Sequence, residues 1–280
     1  MIAKHKNGVS FLEFNNLSQF SGIQHAVFTR NTGKSTGPFR SLNVSFGVGD
    51  DDRNVTWNRN IISQCLEKKD LVFADQVHGI RVIIFSEEKK TPKQFGPDVS
   101  FESDNPDFVN EQIGLFDFDS EQRLIGDALV TNISKKFLVV QVADCQSVLI
   151  YDHVRKVVAN VHSGWRGSIK NIIGRTIKMM NERFGCVPSD FIAGICPSLG
   201  PCCAEFINYQ KEIPKMFWKY KDNNRHFDFW SVSYDQLGEA GVLAENVSLS
   251  KICTKCDPDR FFSYRGEGTT GRFASIIGLK

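Results

Sequence analysis

Several features that the sequence lacks limit what the protein can be. It contains no run of 18 apolar residues, so no transmembrane helix is predicted. The 34 Lys and Arg residues nearly balance the 32 Asp and Glu residues, and the net charge is +2. This balance does not indicate a partner such as nucleic acid or an anionic membrane. The first residues carry no apolar stretch of the kind found in secretory signals, so the expected location is the cytoplasm.

The sequence also has few histidines and no pattern that favours disulfide bonds. The chain has only six histidines, too few for an oxidase with a trinuclear copper cluster. Eight cysteines are present, but a long chain without a secretion signal favours reduced thiols over a disulfide framework.

What is present is an ordinary globular composition. Apolar residues make up 41% of the 280 residues and charged residues 24%, which is typical of a folded soluble domain. Short β-rich runs and helical patterns are interspersed without regular βαβ alternation, which predicts an α+β fold with mixed sheets. We expect one domain over residues 1–280, with a long polar loop at about residues 86–121.

Four helices are predicted along the chain. Val55–Leu66 follows an acidic start, and the pattern from Ile169 to Phe184 ends at Gly185, which suits a helix C-terminus. The third predicted helix is Phe206–Tyr220, and the fourth is Ser233–Ala240.

A predicted β-hairpin brings two chemically active side chains together. The β-rich runs Val148–Tyr151 and Val157–Val161 flank a polar turn. Pairing across a turn at residues 154–155 places His162 opposite a position two residues from Cys145, roughly 5–8 Å away. This distance allows the pair to share a metal or a proton. The alternative is that Cys145 is simply a small buried side chain and the histidine is hydrogen-bonded in a loop.

His78 completes a possible ligand set, because it also follows a β-rich run. Two imidazoles and a thiolate at strand ends form a set of three ligands that leaves a fourth position for catalysis. Ten sequence blocks, three of which contain the members of this trio, follow one another along the chain. The blocks are Thr29-Arg30, Gly37–Asn43, Gln76–Gly79, Asp127–Thr131, Ala143–Cys145, His162–Gly167, Gly194–Cys203, Cys253-Thr254, Phe262–Arg265 and Gly271-Arg272.

This ordered set strongly resembles the family variously called laccase-domain or polyphenol oxidase proteins, peptidoglycan-editing factors and purine nucleoside phosphorylases. The resemblance runs from about Gln24 to the C-terminus. It implies a four-layer α/β/β/α sandwich with mixed sheets, similar to the catalytic domain of cytotoxic necrotizing factor. It also implies that His78, Cys145 and His162 are the metal-binding and catalytic residues.

The implied activity is nucleoside chemistry. The family resemblance implies phosphorolysis of adenosine, inosine, guanosine and methylthioadenosine, together with adenosine deamination. The expected cofactor is zinc rather than copper, and the expected partners are a nucleoside and phosphate, with the protein a monomer or homodimer. Zinc with three protein ligands lowers the pKa of a bound water molecule to about 7, which suits attack on the purine carbon that carries the amino group.

Phosphorolysis also needs groups that hold phosphate and sugar. Arg30 and Arg265 are the candidates for phosphate, because guanidinium binds phosphate through paired hydrogen bonds. Asn43 is a candidate polar group facing the site, and Gln76, two residues before His78, is expected on the same face. Gly266 stands where a second arginine usually follows in this family, which weakens the case for the anion pocket.

Cys202, Cys203, Cys253 and Cys256 resemble part of a zinc ribbon. However, Cys202 and Cys203 are adjacent, which is the wrong spacing for a ribbon. We therefore interpret these four residues as reduced structural cysteines.

Three other functions remain open from the sequence. One is a metal-free amidase or hydrolase editing a peptidoglycan precursor, with Cys145 as nucleophile and His162 or His78 as base. Another is a copper-dependent polyphenol oxidase, since two histidines and one cysteine also suit copper. The last is a non-catalytic protein that binds zinc or a nucleotide.

Overall fold

The computed structural model describes residues 1–67, 69–86, 89–95 and 124–280. These residues form thirteen β-strands. In chain order the strands are β1 (Ile2–Lys6), β2 (Val9–Glu13), β3 (Ile23–Phe28), β4 (Asp70–Phe73), β5 (Val82–Ser86), β6 (Lys89–Phe95), β7 (Ala128–Thr131), β8 (Lys136–Val142), β9 (Gln146–Asp152), β10 (Val157–Ser163), β11 (Phe191–Ile195), β12 (Val247–Leu249) and β13 (Phe273–Leu279).

The strands form two sheets. The first has the order β1-β2-β3-β13-β8-β4, and the second has the order β12-β11-β9-β10-β7-β5-β6. Most neighbours are antiparallel, but β4 runs parallel to β8, β5 to β7 and β11 to β12. Both sheets are therefore mixed, and the predicted α+β class with mixed sheets is confirmed. The likeness to the toxin domain stays a prediction.

Helices form in three of the four predicted places, and the predicted helix Ser233–Ala240 overlaps a longer one that begins at Phe229. The α-helices are α1 (Asn15–Ser18), α2 (Asp52–Cys65), α3 (Trp165–Ile169), α4 (Ile172–Phe184), α5 (Tyr209–Glu212), α6 (Phe229–Glu239) and α7 (Tyr264–Glu267). Helix α2 begins where the Asp51 side chain accepts a hydrogen bond from the Arg53 amide, and α4 ends at Gly185 with φ +64°. Both features are typical helix-end devices.

The predicted helix over Phe206–Tyr220 is wrong. The structure has the single turn of α5 there, followed by a 3₁₀ helix at Lys215–Tyr220. Pro214 lies between them, and a proline cannot donate the backbone hydrogen bond that a continuous helix needs.

Three apolar layers hold the elements together. The central layer fills the space between the sheets and includes Leu138 and Ile277 from the first sheet and Leu149 and Val158 from the second. Helix α2 covers the other face of the first sheet, while α4 and α6 cover the other face of the second. Side chains that point inward from both sheets thus bury each other, and the sheets serve as the rigid support for the site.

The predicted loop at residues 86–121 is wrong in its first part. Strand β6 occupies Lys89–Phe95 and pairs with β5 as the edge strand of the second sheet. An edge strand tolerates a proline such as Pro92. Residues 96–121 lie outside the described residues. Within the described part of the chain, no helix combines the length and the apolar character that crossing a membrane requires.

The β9–β10 hairpin has the predicted register. His162 pairs with Ser147, two residues after Cys145. Cys145 lies in the short turn between β8 and β9, so it reaches the same end of the hairpin as His162. The hairpin therefore fixes the relative position of these two residues through its backbone.

Candidate active site

Three potential metal ligands meet at one end of the sheets. His78, Cys145 and His162 place their ligand atoms within 4.8 Å of one another, and we call them the His–Cys–His centre. Cys145 Sγ lies 3.8 Å from His78 Nε2. The two imidazole rings meet edge to face, with centroids 4.9 Å apart. The structure therefore brings the predicted trio together.

A buried carboxylate orients both histidines. Asp127 Oδ1 accepts hydrogen bonds from His162 Nδ1 at 2.8 Å and from the His78 backbone amide at 2.9 Å. Its other oxygen accepts the Gly79 amide at 2.8 Å. Because the proton of His162 is held at Nδ1, its Nε2 is left to act as a ligand. The sequence analysis missed this role, although Asp127 opens one of the blocks that carry the family resemblance.

Close packing also limits which residue can follow β10. A Cβ added at Gly164 would lie 2.9 Å from His78 Cδ2 and 3.2 Å from Cys145 Sγ. Even an alanine would have to displace one of the two ligands. Glycine is required here by space rather than by backbone conformation, since its φ of −70° is open to any residue.

The charged forms of Cys145 and His162 stabilise each other. Burial alone would raise the pKa of Cys145, but the nearby imidazoles of His162 and His78 outweigh it and lower that pKa to about 6. Burial likewise opposes the charged form of His162, yet the Cys145 thiolate and Asp127 raise its pKa to about 9. Without a metal, the centre is thus a thiolate–imidazolium pair at neutral pH.

The donor set fits a tetrahedral metal ion. A nitrogen at about 2.0 Å and a sulfur at about 2.3 Å from one such ion lie roughly 3.6 Å apart. The distance between Cys145 Sγ and His78 Nε2 is close to this value. The arrangement therefore accommodates a metal with little movement and keeps one coordination position free, and it does not by itself choose between zinc and copper.

The centre opens into a cavity of about 1260 Å³. Aromatic and cationic side chains share its wall. Among them are Trp165, Phe206, Phe229, Tyr264, Arg59, Arg166, Arg265 and Arg272. Such a mixture suits a ligand that has a flat apolar part and an anionic part.

Asp144 connects the centre to the C-terminal loops that line this cavity. It precedes Cys145 and has a φ of +84°. Its Oδ1 accepts hydrogen bonds from the hydroxyls of Thr254 at 2.6 Å and Ser263 at 2.7 Å. Its Oδ2 accepts the Arg265 amide at 2.5 Å. The turn that carries the cysteine is therefore tied to the wall that carries Arg265.

Two of the four other predicted residues line the cavity. Gln76 lies there, but its side-chain amide is committed to the backbone of Gln141, with hydrogen bonds of 2.9 and 2.8 Å. Arg265 also lines it, and its Nη1 donates to the Glu205 carbonyl at 2.7 Å.

Arg30 and Asn43 are not among the residues that line the cavity. The Arg30 guanidinium pairs with Glu267 at 2.7 Å and lies over the Phe262 ring. Asn43 is buried, and its Oδ1 accepts the Arg272 amide at 2.8 Å. Contrary to expectation, neither side chain faces the site, since both are used to hold loops together.

Three further arginines, Arg59, Arg166 and Arg272, line the cavity. The Arg59 guanidinium lies 3.7 Å from the centre of the Phe73 ring, and burial lowers its pKa to about 10, so it stays charged. Arg272 Nη1 donates to the carbonyls of Thr270 and Gly271, each at 2.9 Å. The Gly271-Arg272 block pointed to Arg272, whereas Arg59 sits on an ordinary helix face and gave no signal.

Fold and site together define a mixed α+β protein in which three potential metal ligands, two histidines and one cysteine, face a ligand-sized cavity. Residues 24–280 match the family described as "Multi-copper polyphenol oxidoreductase laccase", and the chain belongs to this family. The family recognised from the sequence is thereby confirmed.

Named relatives agree with this assignment. The chain is 30% identical to "Purine nucleoside phosphorylase YlmD" of Bacillus subtilis, over 90% of this chain and 87% of that protein. It is 28% identical to "Purine nucleoside phosphorylase" of Bacteroides thetaiotaomicron, over 95% of each chain. The crystal structure of YlmD from Geobacillus stearothermophilus superposes with a TM-score of 0.78 at 26% identity, covering 99% of this chain and 98% of that one.

Proposed function

We propose that the protein is a zinc-dependent purine nucleoside phosphorylase that also deaminates adenosine. Its substrates would be adenosine, inosine, guanosine and methylthioadenosine. The observation that carries this proposal is the convergence of the His–Cys–His centre with aromatic and arginine side chains in one cavity. The names of the relatives support the same reaction class.

His78, Cys145 and His162 would hold the zinc ion. Bound zinc supplies Lewis-acid polarisation and a lowered pKa for a water molecule. The residues of the chain do the positioning: Asp127 keeps the His162 proton at Nδ1 and fixes the His78 loop through its backbone amide. Gly164 keeps the space between the ligands free of a side chain.

The aromatic wall suits a purine base. The rings of Trp165 and Phe206 have centroids 5.9 Å apart, and those of Phe206 and Phe229 lie 5.5 Å apart. Such a wall offers flat apolar surfaces against which a purine can stack, and stacking orients the glycosidic bond relative to the opposite wall.

Arginines on the cavity wall would hold the phosphate. In phosphorolysis a phosphate oxygen bonds to the anomeric carbon, the C–N bond breaks, and the base leaves with the electron pair and takes up a proton. Arg59, Arg265 and Arg272 line the cavity and carry the positive charge that this anion requires. We assign the phosphate to this group rather than to Arg30, which is paired with Glu267. Asn43 then positions Arg272 by accepting its backbone amide.

Product analysis tests the proposal. The purified protein is incubated with inosine and with adenosine, each with and without phosphate, and the bases are separated by chromatography. We expect phosphate-dependent release of hypoxanthine and adenine, and some inosine from adenosine. Cys145→Ala should abolish these products, while Cys65→Ala, which changes a buried cysteine away from the cavity, should retain them. A wild-type protein that releases no base would overturn the proposal.

A second candidate function has one specific observation in its favour. The Cys145 thiolate, the His162 imidazolium and the Asp127 carboxylate form the kind of array that cysteine hydrolases use. Cleavage of a peptidoglycan-precursor amide by chelator-treated protein would favour this amidase. Oxidation of a phenol only after copper loading would instead favour the polyphenol oxidase that the family description names.

A further inference from the structure

A second group of potential metal ligands lies outside the His–Cys–His centre. Cys202, Cys203, Cys253 and Cys256 place their sulfur atoms within 4.8 Å of one another, and we call them the four-cysteine cluster. Cys256 Sγ is 3.5 Å from Cys203 Sγ and 3.6 Å from Cys202 Sγ. The cluster was not expected from the sequence, because two adjacent cysteines do not follow the usual ligand spacing.

The sulfur spacing suits a shared metal ion and not a disulfide. Four sulfurs bound tetrahedrally to zinc at about 2.3 Å lie about 3.8 Å from one another. Sulfurs joined in a disulfide lie about 2.05 Å apart. We propose that the four-cysteine cluster is a second, structural zinc site, with all four coordination positions filled by protein thiolates.

Backbone amides support the thiolates of this site. The Gly200 amide donates to Cys253 Sγ at 3.3 Å, and the Cys256 amide also donates to that sulfur. Such N–H donors stabilise a thiolate and orient it toward a metal, as outer partners do in established metal sites. Cys253 is buried while Cys202 and Cys256 are exposed, so an ion can enter from the surface.

The local backbone explains why such distant residues meet. Cys202 and Cys203 lie in a turn, in which the Cys203 amide donates to the Gly200 carbonyl at 2.9 Å. A short parallel bridge joins Ser198 to Cys253, with the Thr254 amide donating to the Ser198 carbonyl at 3.0 Å. Backbone hydrogen bonds thus hold the two loops in register, and the Cys253-x-x-Cys256 pair faces the adjacent residues Cys202 and Cys203.

The proposed zinc site would connect two loops that contact the residues around the cavity. Arg265 Nη1 donates to the Cys203 carbonyl at 3.3 Å, so the first loop contacts a cavity arginine. Thr254, inside the second loop, donates to Asp144 beside Cys145. A zinc ion held by both loops would therefore stabilise the cavity wall without contacting a substrate. This role does not depend on which reaction the cavity catalyses.

Metal content and X-ray absorption test the site without reference to activity. The protein is produced in zinc-supplemented medium and dialysed, and zinc is then measured for the wild type and three variants. We expect about two zinc ions per chain in the wild type and in Cys65→Ala. About one should remain in Cys145→Ala and about one in the Cys202→Ser/Cys256→Ser double variant. The zinc kept by Cys145→Ala should have only sulfur neighbours, at about 2.3 Å.

The Cys145→Ala protein keeps this test decisive if the double variant fails to fold, because its four-cysteine cluster is intact. Zinc that disappears entirely on Cys145→Ala substitution would overturn the proposal. So would a remaining zinc with nitrogen neighbours, or a disulfide among the four cysteines found by mass spectrometry. Retention of zinc by Cys256→His would support it further, since imidazole can replace one thiolate in structural sites.

Discussion

The two groups of potential metal ligands differ in number, support and surroundings. The His–Cys–His centre has three ligands, lies at strand ends and faces the cavity, with a buried carboxylate behind its histidines. The four-cysteine cluster has four ligands in two loops and is supported by backbone amides. Three ligands leave a position for chemistry and four close the coordination sphere. If both proposals hold, one chain places a catalytic centre at the ends of its strands and a structural metal site in its loops.

The thiols of Cys145 and Cys202 also differ in acidity. The neighbours of Cys145 are imidazoles, which outweigh its burial and lower its pKa to about 6. Burial, together with hydrogen bonding to Cys253 and Cys256, raises the pKa of Cys202 to about 11. The surrounding groups therefore favour the thiolate form of Cys145 and the protonated form of Cys202.

The largest expected effect comes from removing the central ligand. Cys145→Ala should lower phosphorolysis by about a thousandfold, since a catalytic metal contributes several kcal/mol to transition-state stabilisation. The unfolding temperature should change little, because the four-cysteine cluster is untouched. Initial rates and thermal unfolding, measured beside Cys65→Ala, check both statements. A Cys145→Ala protein with near-normal rates would show that the centre is not catalytic.

A smaller effect is expected at the carboxylate behind the histidines. Asp127→Asn keeps the shape but removes the charge that holds the His162 proton and the His78 loop. Such outer partners typically contribute 10- to 100-fold to metal affinity, about 1.4–2.7 kcal/mol. Zinc competition with a chelator should show this loss at the His–Cys–His centre alone. An equal loss at the four-cysteine cluster would mean that the two sites are not independent.

The arginines offer a matched pair of variants. Arg272→Ala removes a cation from the cavity and should raise the KM for phosphate about tenfold, with a smaller change in the KM for the nucleoside. Arg30→Ala removes a cation that is paired with Glu267 and should leave the KM for phosphate unchanged. Steady-state kinetics with each substrate varied separates the two. If only Arg30→Ala affected phosphate, the assignment of the anion pocket would be reversed.

The last prediction concerns the rate at which cysteines of the metal-free protein are alkylated, and it involves no change in activity. The thiolate of Cys145 is present above pH 6 and is lost as the pH falls through about 6. Iodoacetamide at pH 7 should therefore label Cys145 rapidly, whereas Cys202, with a pKa of about 11, should react slowly. Peptide mass spectrometry across pH 5–9 measures both rates. Faster labelling of Cys202 than of Cys145 would contradict the acidity difference between these two thiols.

The sequence predicted the strands and the ligand trio because both depend on local patterns. Apolar runs predicted strands β9 and β10. The position of the turn between them predicted the pairing that places His162 near Cys145. Helix α4 was predicted from its spacing and from Gly185. The continuous helix predicted at Phe206–Tyr220 is wrong, because the prediction gave the helical apolar spacing more weight than Pro214.

What the sequence could not predict depends on distant contacts. The sequence suggested Arg30 as a phosphate ligand, because its ion pair with Glu267 forms only in the folded chain. Asp127 gave no sign that it holds both histidines, because that role exists only once β7 and β10 are paired. The four-cysteine cluster required two separate loops to be in register, which spacing along the chain does not report.

The central claim is that the protein transfers a ribosyl group from a purine to phosphate in the cavity beside the His–Cys–His centre. Phosphorus NMR of a reaction with inosine and inorganic phosphate tests it most directly, because it observes the new bond itself. The account predicts a growing signal of a sugar 1-phosphate, equal in amount to the hypoxanthine released and absent with Cys145→Ala. Release of hypoxanthine with free ribose, while the phosphate signal stays constant, would contradict it.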